Sequence, residues 1–181
     1  MRCRMTLRVP ALAVLCLALP VAGAADDLFG GYSYERSHSS SDPSVSRHGW
    51  NASLAIGLAG PLALVADASG HYGSSEGVDR EQLTLMGGPR ASFLRGGKAS
   101  PFVHALFGLL REKGGVKVLD VTISEDQSRF GMLFGGGLDV TVAPRWAVRL
   151  EGDYERSSKD GDTESGFRAC VGAVYRFGRS P

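Results

Sequence analysis

The stretch at residues 145–154 decides the fold class of this chain; it reads Arg145-Trp146-Ala147-Val148-Arg149-Leu150-Glu151-Gly152-Asp153-Tyr154. Its even positions carry apolar or aromatic side chains and one glycine, whereas its odd positions carry charges of both signs and one alanine. A period of two indicates a β-strand whose two faces meet different environments. In a soluble sandwich the charged face points to water, whereas in a membrane barrel the apolar face points to lipid and the charged face to the lumen. This strand alone is compatible with both folds, the soluble sandwich and the membrane barrel.

The first 24 residues have the organisation of a secretory signal peptide. Arg2, Arg4 and Arg8 precede an apolar run at residues 9–21, and small residues follow at positions 22–24. The apolar run is shorter than the ~20 residues that a membrane-spanning helix needs. We therefore predict a signal peptide at residues 1–24 and a single domain at residues 25–181.

Removal of the signal peptide changes the charge balance and the cysteine count. The chain has 20 basic and 19 acidic residues, and losing three arginines leaves 17 and 19, a net charge of −2. This balance gives no basic excess for binding nucleic acid. Cys170 is the one cysteine that remains, so an intramolecular disulfide is excluded.

Seven further segments share this alternation, which gives eight predicted strands at residues 28–35, 50–58, 62–72, 83–93, 102–110, 130–142, 145–154 and 167–177. Their lengths suit tilted membrane strands, and outer-membrane barrels have even strand numbers. Long polar segments, predicted as loops, follow the odd-numbered strands at residues 37–48, 73–80, 111–128 and 156–166, whereas short turns follow the even-numbered ones. Within the longest loop, residues 116–123 could extend the strands above the membrane. This alternation of connection lengths favours the barrel over the sandwich.

Aromatic residues collect near the strand ends and predict two interfacial girdles. One lies toward the predicted loops and the other toward the turns. The girdle residues are Trp50, Tyr72, Tyr154 and Phe167 at the loop end, and Phe93, Trp146, Tyr175 and Phe177 at the turn end.

Four segments carry a resemblance to a known family: Asp27-Leu28-Phe29-Gly30-Gly31-Tyr32-Ser33-Tyr34, Gly49-Trp50-Asn51-Ala52-Ser53, Pro101-Phe102-Val103-His104-Ala105-Leu106-Phe107-Gly108 and Gly135-Gly136-Gly137-Leu138-Asp139-Val140. With them the chain resembles the eight-stranded outer-membrane β-barrel family, the OmpA-like and OmpX-like porin-family domains of Gram-negative bacteria. The resemblance implies an all-β, antiparallel, up-and-down transmembrane β-barrel of eight strands in the outer membrane. It further implies a monomer whose partners are outer-membrane lipid, lipopolysaccharide and the barrel-assembly machinery. Family members usually end on an aromatic residue, whereas here Phe177 is followed by four more residues.

The predicted inner face collects charges of both signs. They are Glu35, Asp67, Arg90, Asp139, Arg149, Glu151, Asp153, Arg168 and Arg176, with His104 among them. Because an unpaired buried charge is costly, we expect these side chains to pair in one lumen charge network. Two interpretations stay open: a salt-bridged plug that fills a small barrel, or a gated ion path.

The sequence predicts neither a catalytic site nor a cofactor or metal site. His38, His48 and His71 could form a weak surface metal site, but scattered polar histidines are the simpler interpretation. Asp67, Ser69 and His71 share a strand face, yet neighbours two residues apart do not by themselves make a catalytic triad. The leading hypothesis is a structural, envelope-integrity barrel that is not an enzyme. The alternatives are a narrow channel or porin, an adhesin that binds an extracellular ligand at its loops, and a lipid-modifying enzyme.

Overall fold

The computed structural model describes residues 27–38, 45–75, 78–94, 97–118, 121–159 and 162–177. The predicted signal peptide and residues 178–181 lie outside this part of the chain. The described residues form eight β-strands: β1 (Asp27–His38), β2 (Val45–Gly57), β3 (Leu62–Ser75), β4 (Val78–Ser92), β5 (Ala99–Val118), β6 (Val121–Ala143), β7 (Trp146–Lys159) and β8 (Asp162–Arg176).

The eight strands form a closed, up-and-down barrel. Each strand pairs antiparallel with the next, and β8 pairs antiparallel with β1. Asp27 lies opposite Arg176, so the two ends of the barrel sequence meet at the end that carries the short β2–β3, β4–β5 and β6–β7 connections. We call this the turn end and the opposite one the loop end. The predicted fold class is confirmed.

The strands are longer at the loop end than the sequence indicates. β5 and β6 pair without a register shift up to Val118 opposite Val121, so most of the loop predicted at residues 111–128 is strand. The loops predicted at residues 73–80 and 156–166 are likewise mostly strand, and their prediction was wrong. A hairpin satisfies its own backbone hydrogen bonds, so polar residues can continue a ladder beyond the apolar zone. The extension expected at residues 116–123 is confirmed for residues 116–118 and 121–123.

Alternate residues of each strand face opposite environments. On β7, Arg149 is buried in the lumen, whereas its neighbour Leu150 is 53% exposed on the outer surface. The same holds around the barrel, where large exposed apolar side chains point outward from every strand. The described residues include no helix that is long and apolar enough to cross a membrane. The outer wall therefore presents the apolar surface that a membrane-embedded barrel needs.

Two glycine positions allow close approach between neighbouring strands. Gly31 of β1 lies opposite Gly172 of β8, and a Cβ atom at Gly172 would lie 2.5 Å from the Cα atom of Gly31. On the outer wall Trp50 covers Gly70, where a Cβ atom would lie 2.6 Å from the indole nitrogen. Glycine in these strands thus permits the strong curvature of a small barrel and leaves room for an aromatic ring.

The predicted girdle aromatics lie at the two ends of the outer wall. Trp50, Tyr72, Tyr154 and Phe167 are about half exposed toward the loop end, and Tyr32 and Phe130 lie on the same wall. At the turn end, the ring centroid of Trp146 lies 5.0 Å from that of Tyr175, which stacks on Phe177 at 6.5 Å. Phe93 and Phe177 follow the last residues of β4 and β8.

Candidate functional site

The lumen is filled by side chains. Two apolar clusters line its wall: Ala55, Ala63, Val65, Met86, Leu106, Leu110 and Leu133 on β2–β6, and Phe29, Ala147, Cys170 and Val174 on β1, β7 and β8. The charged side chains, with Gln82 among them, form three layers. The turn-end layer is Asp27, Arg90, Asp139 and Arg149; the middle layer is Asp67, His104, Glu151, Asp153 and Arg168; the loop-end layer is Glu35, Arg47, Gln82, Glu112, Arg129 and Glu155.

Arg149 organises the turn-end layer. Its guanidinium donates to both carboxylate oxygens of Asp139, at 2.7 and 2.9 Å, and to Asp27 at 3.2 Å. Asp27 also accepts hydrogen bonds from Arg90. A two-pronged arginine–carboxylate pair fixes geometry as well as charge. Arg176 lies at the rim, where it donates to Thr141 at 3.0 Å and lies 3.9 Å from Asp139.

Aromatic rings complete the turn-end layer. The guanidinium carbon of Arg149 lies 5.1 Å from the ring centroid of Phe29 and 4.7 Å from that of Phe102. Arg90 lies 5.3 Å from the same Phe102 ring. A cation over an aromatic face is attracted by the ring electrons, and more so where water is excluded. The rings therefore close the spaces that the ion pairs leave.

Arg168 is the centre of the middle layer and is fully buried. It donates to Asp153 at 2.9 Å, to Asp67 at 3.0 Å and to Glu151 at 3.3 Å. His104 Nε2 lies 2.7 Å from the other oxygen of Asp153, and Asn51 donates to Asp67 at 2.8 Å. One guanidinium therefore gathers carboxylates from β3 and β7.

The loop-end layer is looser. Arg47 contacts Glu35 at 3.3 Å and Glu112 at 3.4 Å, and it also donates to Gln82. Arg129 lies 3.5 Å from Glu112. A small pocket that opens to solvent lies here, and its lining includes Glu35, Arg47, Glu112, Arg129 and Glu155.

Each layer contains a contact between strands that are three apart in the ring. Arg90 of β4 reaches Asp27 of β1, Arg168 of β8 reaches Asp67 of β3, and Arg47 of β2 reaches Glu112 of β5. Such strands do not pair through their backbones, so these contacts run through the lumen. We call them the three cross-lumen bridges.

The structure places all nine predicted lumen residues on the inner wall and assigns them to different layers. Eight of them are buried, and Arg176 is half-buried at the rim. Glu35 pairs with Arg47 in the loop-end layer and has no ion pair with the arginines of the turn-end layer among the described residues.

Sequence reasoning missed Asp27, Arg47, Glu112 and Glu155, although each continues the period of two of a predicted strand. The predicted strands were too short: those of β1 and β2 began too late, and those of β5 and β7 ended too early.

His48 and His71 do not share the surface metal site that the sequence left open. His48 lies on the outer wall, where its Nδ1 atom bonds the hydroxyl of Tyr32, whereas His71 is buried in the lumen. The side chain of His38 lies outside the described part of the chain. Because residues on opposite faces of the barrel wall cannot share an ion, the grouping of His48 with His71 that the sequence left open does not occur.

His71 instead lies between a hydroxyl and a carboxylate. Its Nε2 atom is 2.8 Å from Ser33 Oγ, and its Nδ1 atom is 3.1 Å from Glu35 Oε2 but out of line for a hydrogen bond. Cys170 donates to the same Ser33 oxygen at 3.3 Å. The residue types are those of a hydrolytic triad, but all of these side chains are buried. The pocket at the loop end includes Glu35 in its lining but neither Ser33 nor His71.

One group in the described residues has the spacing of metal ligands. His104, Glu151 and Asp153 each offer a ligand atom, and these atoms lie within 4.8 Å of one another. The guanidinium of Arg168 already donates to both carboxylates. It supplies the positive charge that a metal ion would supply, so this group fits an ion-pair network better than a metal centre.

The chain matches no protein-family model and no protein with a curated description. Solved structures are similar in fold. Neisserial surface protein A matches with a TM-score of 0.68 and 14% identity, covering 84% of this chain and 97% of that one. The attachment invasion locus protein Ail of Yersinia pestis matches with a TM-score of 0.62 and 19% identity, covering 85% and 99%. OprG of Pseudomonas aeruginosa matches with a TM-score of 0.57 and 10% identity, covering 86% and 97%.

The compared proteins are outer-membrane barrels, and the likeness extends over nearly their whole length. The chain folds as an eight-stranded transmembrane β-barrel of the outer-membrane type.

Proposed function

We propose that this protein is a structural barrel of a Gram-negative-type outer membrane, closed along its axis by ion pairs, with hairpins exposed on the outer side. The observation that carries the proposal is the set of three cross-lumen bridges, one in each layer. Eight strands leave an interior just wide enough for side chains, and here charged side chains occupy it. We infer that the wild-type lumen excludes a steady flow of ions, so the narrow-channel alternative is the less favoured one.

Planar-bilayer recording of the purified barrel tests this proposal. We expect the wild-type protein to add no steady conductance. A variant with both Asp67→Ser and Arg168→Ser removes the bridge of the middle layer. If it still folds, it should show more frequent single-channel openings than the wild-type barrel. Steady single-channel openings of the wild-type barrel would overturn the proposal and favour the porin-like alternative.

Membrane location is tested separately. The apolar outer wall supports insertion into lipid. We propose in addition, from the resemblance, that lipopolysaccharide forms the outer leaflet around the barrel and that the barrel-assembly machinery inserts it as a monomer. We expect the protein in the outer-membrane fraction, with a folded form that migrates differently from the heated form on a gel. Recovery in the soluble periplasmic fraction would contradict this.

A second candidate function is adhesion. The β5–β6 hairpin continues nine residues beyond Leu109 and Phe130 to Val118 and Val121, roughly 30 Å of strand at ~3.3 Å per residue. One solved structure of the similar protein Ail is a complex with the heparin analogue sucrose octasulfate. Deletion of residues 113–126 should abolish binding to host surfaces or sulfated glycans if this hairpin carries adhesion, whereas equal binding would exclude it.

We propose no enzymatic activity. The Ser33, His71 and Glu35 side chains are buried, and the contact between His71 and Glu35 is poorly aligned. A lipid-modifying enzyme needs its nucleophile open to the acyl chains. Lipid A should therefore be unchanged when the protein is overexpressed. Deacylated lipid A that disappears with Ser33→Ala would overturn this.

A further inference from the structure

The outward charges at the loop end differ between two sides of the barrel. On β4 and β5 they are mixed in sign, because Glu81 and Arg111 are both exposed and occupy diagonal positions of this strand pair. On β7, β8 and β1 they are of one sign. Arg156 and Arg36 are exposed there, and each follows a tyrosine of the same outward face by two residues. Both arginines therefore lie where the apolar outer wall ends.

The two arginines flank an aromatic ring. Arg36 of β1 lies opposite Phe167 of β8, and Arg156 of β7 lies opposite Ser165 of β8. Phe167 and Ser165 are successive outward positions of β8, and Phe167 is 54% exposed. With ~4.8 Å between strands and ~3.3 Å per residue, the Cα atoms of the two arginines are about 12 Å apart. We call Arg36, Phe167 and Arg156 the outer arginine patch.

Positive charge collects on this side of the outer surface. Within the described residues no acidic side chain points outward from β7, β8 or β1. The sequence continues the outward period of these strands with Ser158, Thr163 and His38, none of which is acidic. A guanidinium matches a phosphate group with two parallel hydrogen bonds. At the border between the apolar wall and water, the anions beside it are the headgroups of the surrounding lipid.

We propose that the outer arginine patch binds a phosphorylated glycolipid of the outer leaflet, with phosphate groups at the two arginines and the sugar over Phe167. This inference rests on the proposed location in an outer membrane. A disaccharide headgroup that carries a phosphate at each end reaches both cations, whereas the single phosphodiester of a phospholipid reaches one. On the opposite side Glu81 lies beside Arg111 and repels a phosphate, so the glycolipid is held on one side of the barrel.

Native mass spectrometry of the folded barrel released from detergent micelles tests this. Lipid A with two phosphates is titrated against the wild-type barrel, and dephosphorylated lipid A and phosphatidylglycerol serve as comparison lipids. We expect the wild-type barrel to retain the bisphosphorylated lipid A in preference to both. Arg36→Gln and Arg156→Gln should each weaken this retention by about fivefold, the contribution typical of one arginine near an anionic lipid surface. Arg156→Lys keeps the charge and should retain more lipid than Arg156→Gln.

Arg111→Gln is the matched control, because it removes an exposed outward arginine from the side of mixed charge, and it should leave the retention unchanged. All of these variants change exposed residues, so each should keep the difference in gel migration between folded and heated forms. An equal loss in Arg111→Gln, or equal retention of phosphatidylglycerol or dephosphorylated lipid A, would overturn the proposal. A barrel that reaches the outer membrane without this lipid preference refutes the glycolipid site alone, whereas recovery in the periplasm refutes the proposed location.

Discussion

The inner and outer walls of this barrel are built from alternate residues of the same strands, yet they are specified in different ways. Leu150 needs only to be apolar, because lipid accepts any apolar side chain. Its neighbour Arg149 needs Asp139 and Asp27 at 2.7–3.2 Å and the rings of Phe29 and Phe102 beside it. The outer wall thus depends on hydropathy, whereas the inner wall depends on particular partners. Substitutions on the two walls should therefore fail for different reasons.

The largest expected effect is on the inner wall. Arg168→Ala removes the guanidinium that Asp67, Glu151 and Asp153 share, so these buried carboxylates lose their common partner. We expect the free energy of unfolding to fall by about 3–5 kcal/mol. Urea unfolding in micelles, followed by tryptophan fluorescence, measures it. A loss below about 1 kcal/mol would mean that water already solvates these groups.

On the outer wall, Leu150→Arg places a charge toward lipid. A cost of about 2–4 kcal/mol is expected if Leu150 lies near the midplane of the bilayer. Leu150→Phe keeps the position apolar and serves as the control, with little loss of insertion. Refolding yield into vesicles measures both variants. Equal refolding yields for Leu150→Arg and Leu150→Phe would indicate that this face does not meet lipid.

The two walls also differ in how much room a glycine leaves for a side chain. Gly172→Val introduces a side chain against Gly31 on the crowded inner side, and overpacking of this kind costs about 1–3 kcal/mol. Gly30→Val is the matched control, because no atom lies within 4 Å of the Cβ position at Gly30. Unfolding midpoints of the two variants should differ clearly. Similar midpoints would show that strands β1 and β8 lie too far apart for a side chain at Gly172 to meet Gly31.

The smallest effect is expected at the turn-end rim. Arg176 lies 3.9 Å from Asp139, and its side chain is 22% exposed. Solvent screens such a pair, so Arg176→Ala should lower the free energy of unfolding by only about 0.2–1 kcal/mol. Comparison with Arg168→Ala under the same conditions shows how much more an arginine of the middle layer contributes to the free energy of unfolding than one at the rim. A loss at Arg176 as large as that at Arg168 would contradict the layered arrangement.

The same contrast explains what could be predicted from the sequence. The alternation of Leu150 and Arg149 is local, so strand number, faces and girdles such as Trp146 and Tyr154 follow from it. The partner of Arg168 on β3 is 101 residues away in sequence, and the curvature that brings Asp67 to it is not written in either strand. Arg47 and Glu155 were missed because polar residues beyond the apolar zone look the same in a loop and in a hairpin.

A double-mutant cycle on Asp67 and Arg168 tests the central claim, that ion pairs cross the lumen and fill it. These residues lie on strands three apart, so they can affect one another only through the lumen. The free energies of unfolding of wild type, Asp67→Ala, Arg168→Ala and the double variant give the coupling. We predict a coupling energy of at least about 1 kcal/mol, within the range for residues in contact. Additivity within about 0.5 kcal/mol would contradict the account, because the two side chains would then be solvated separately.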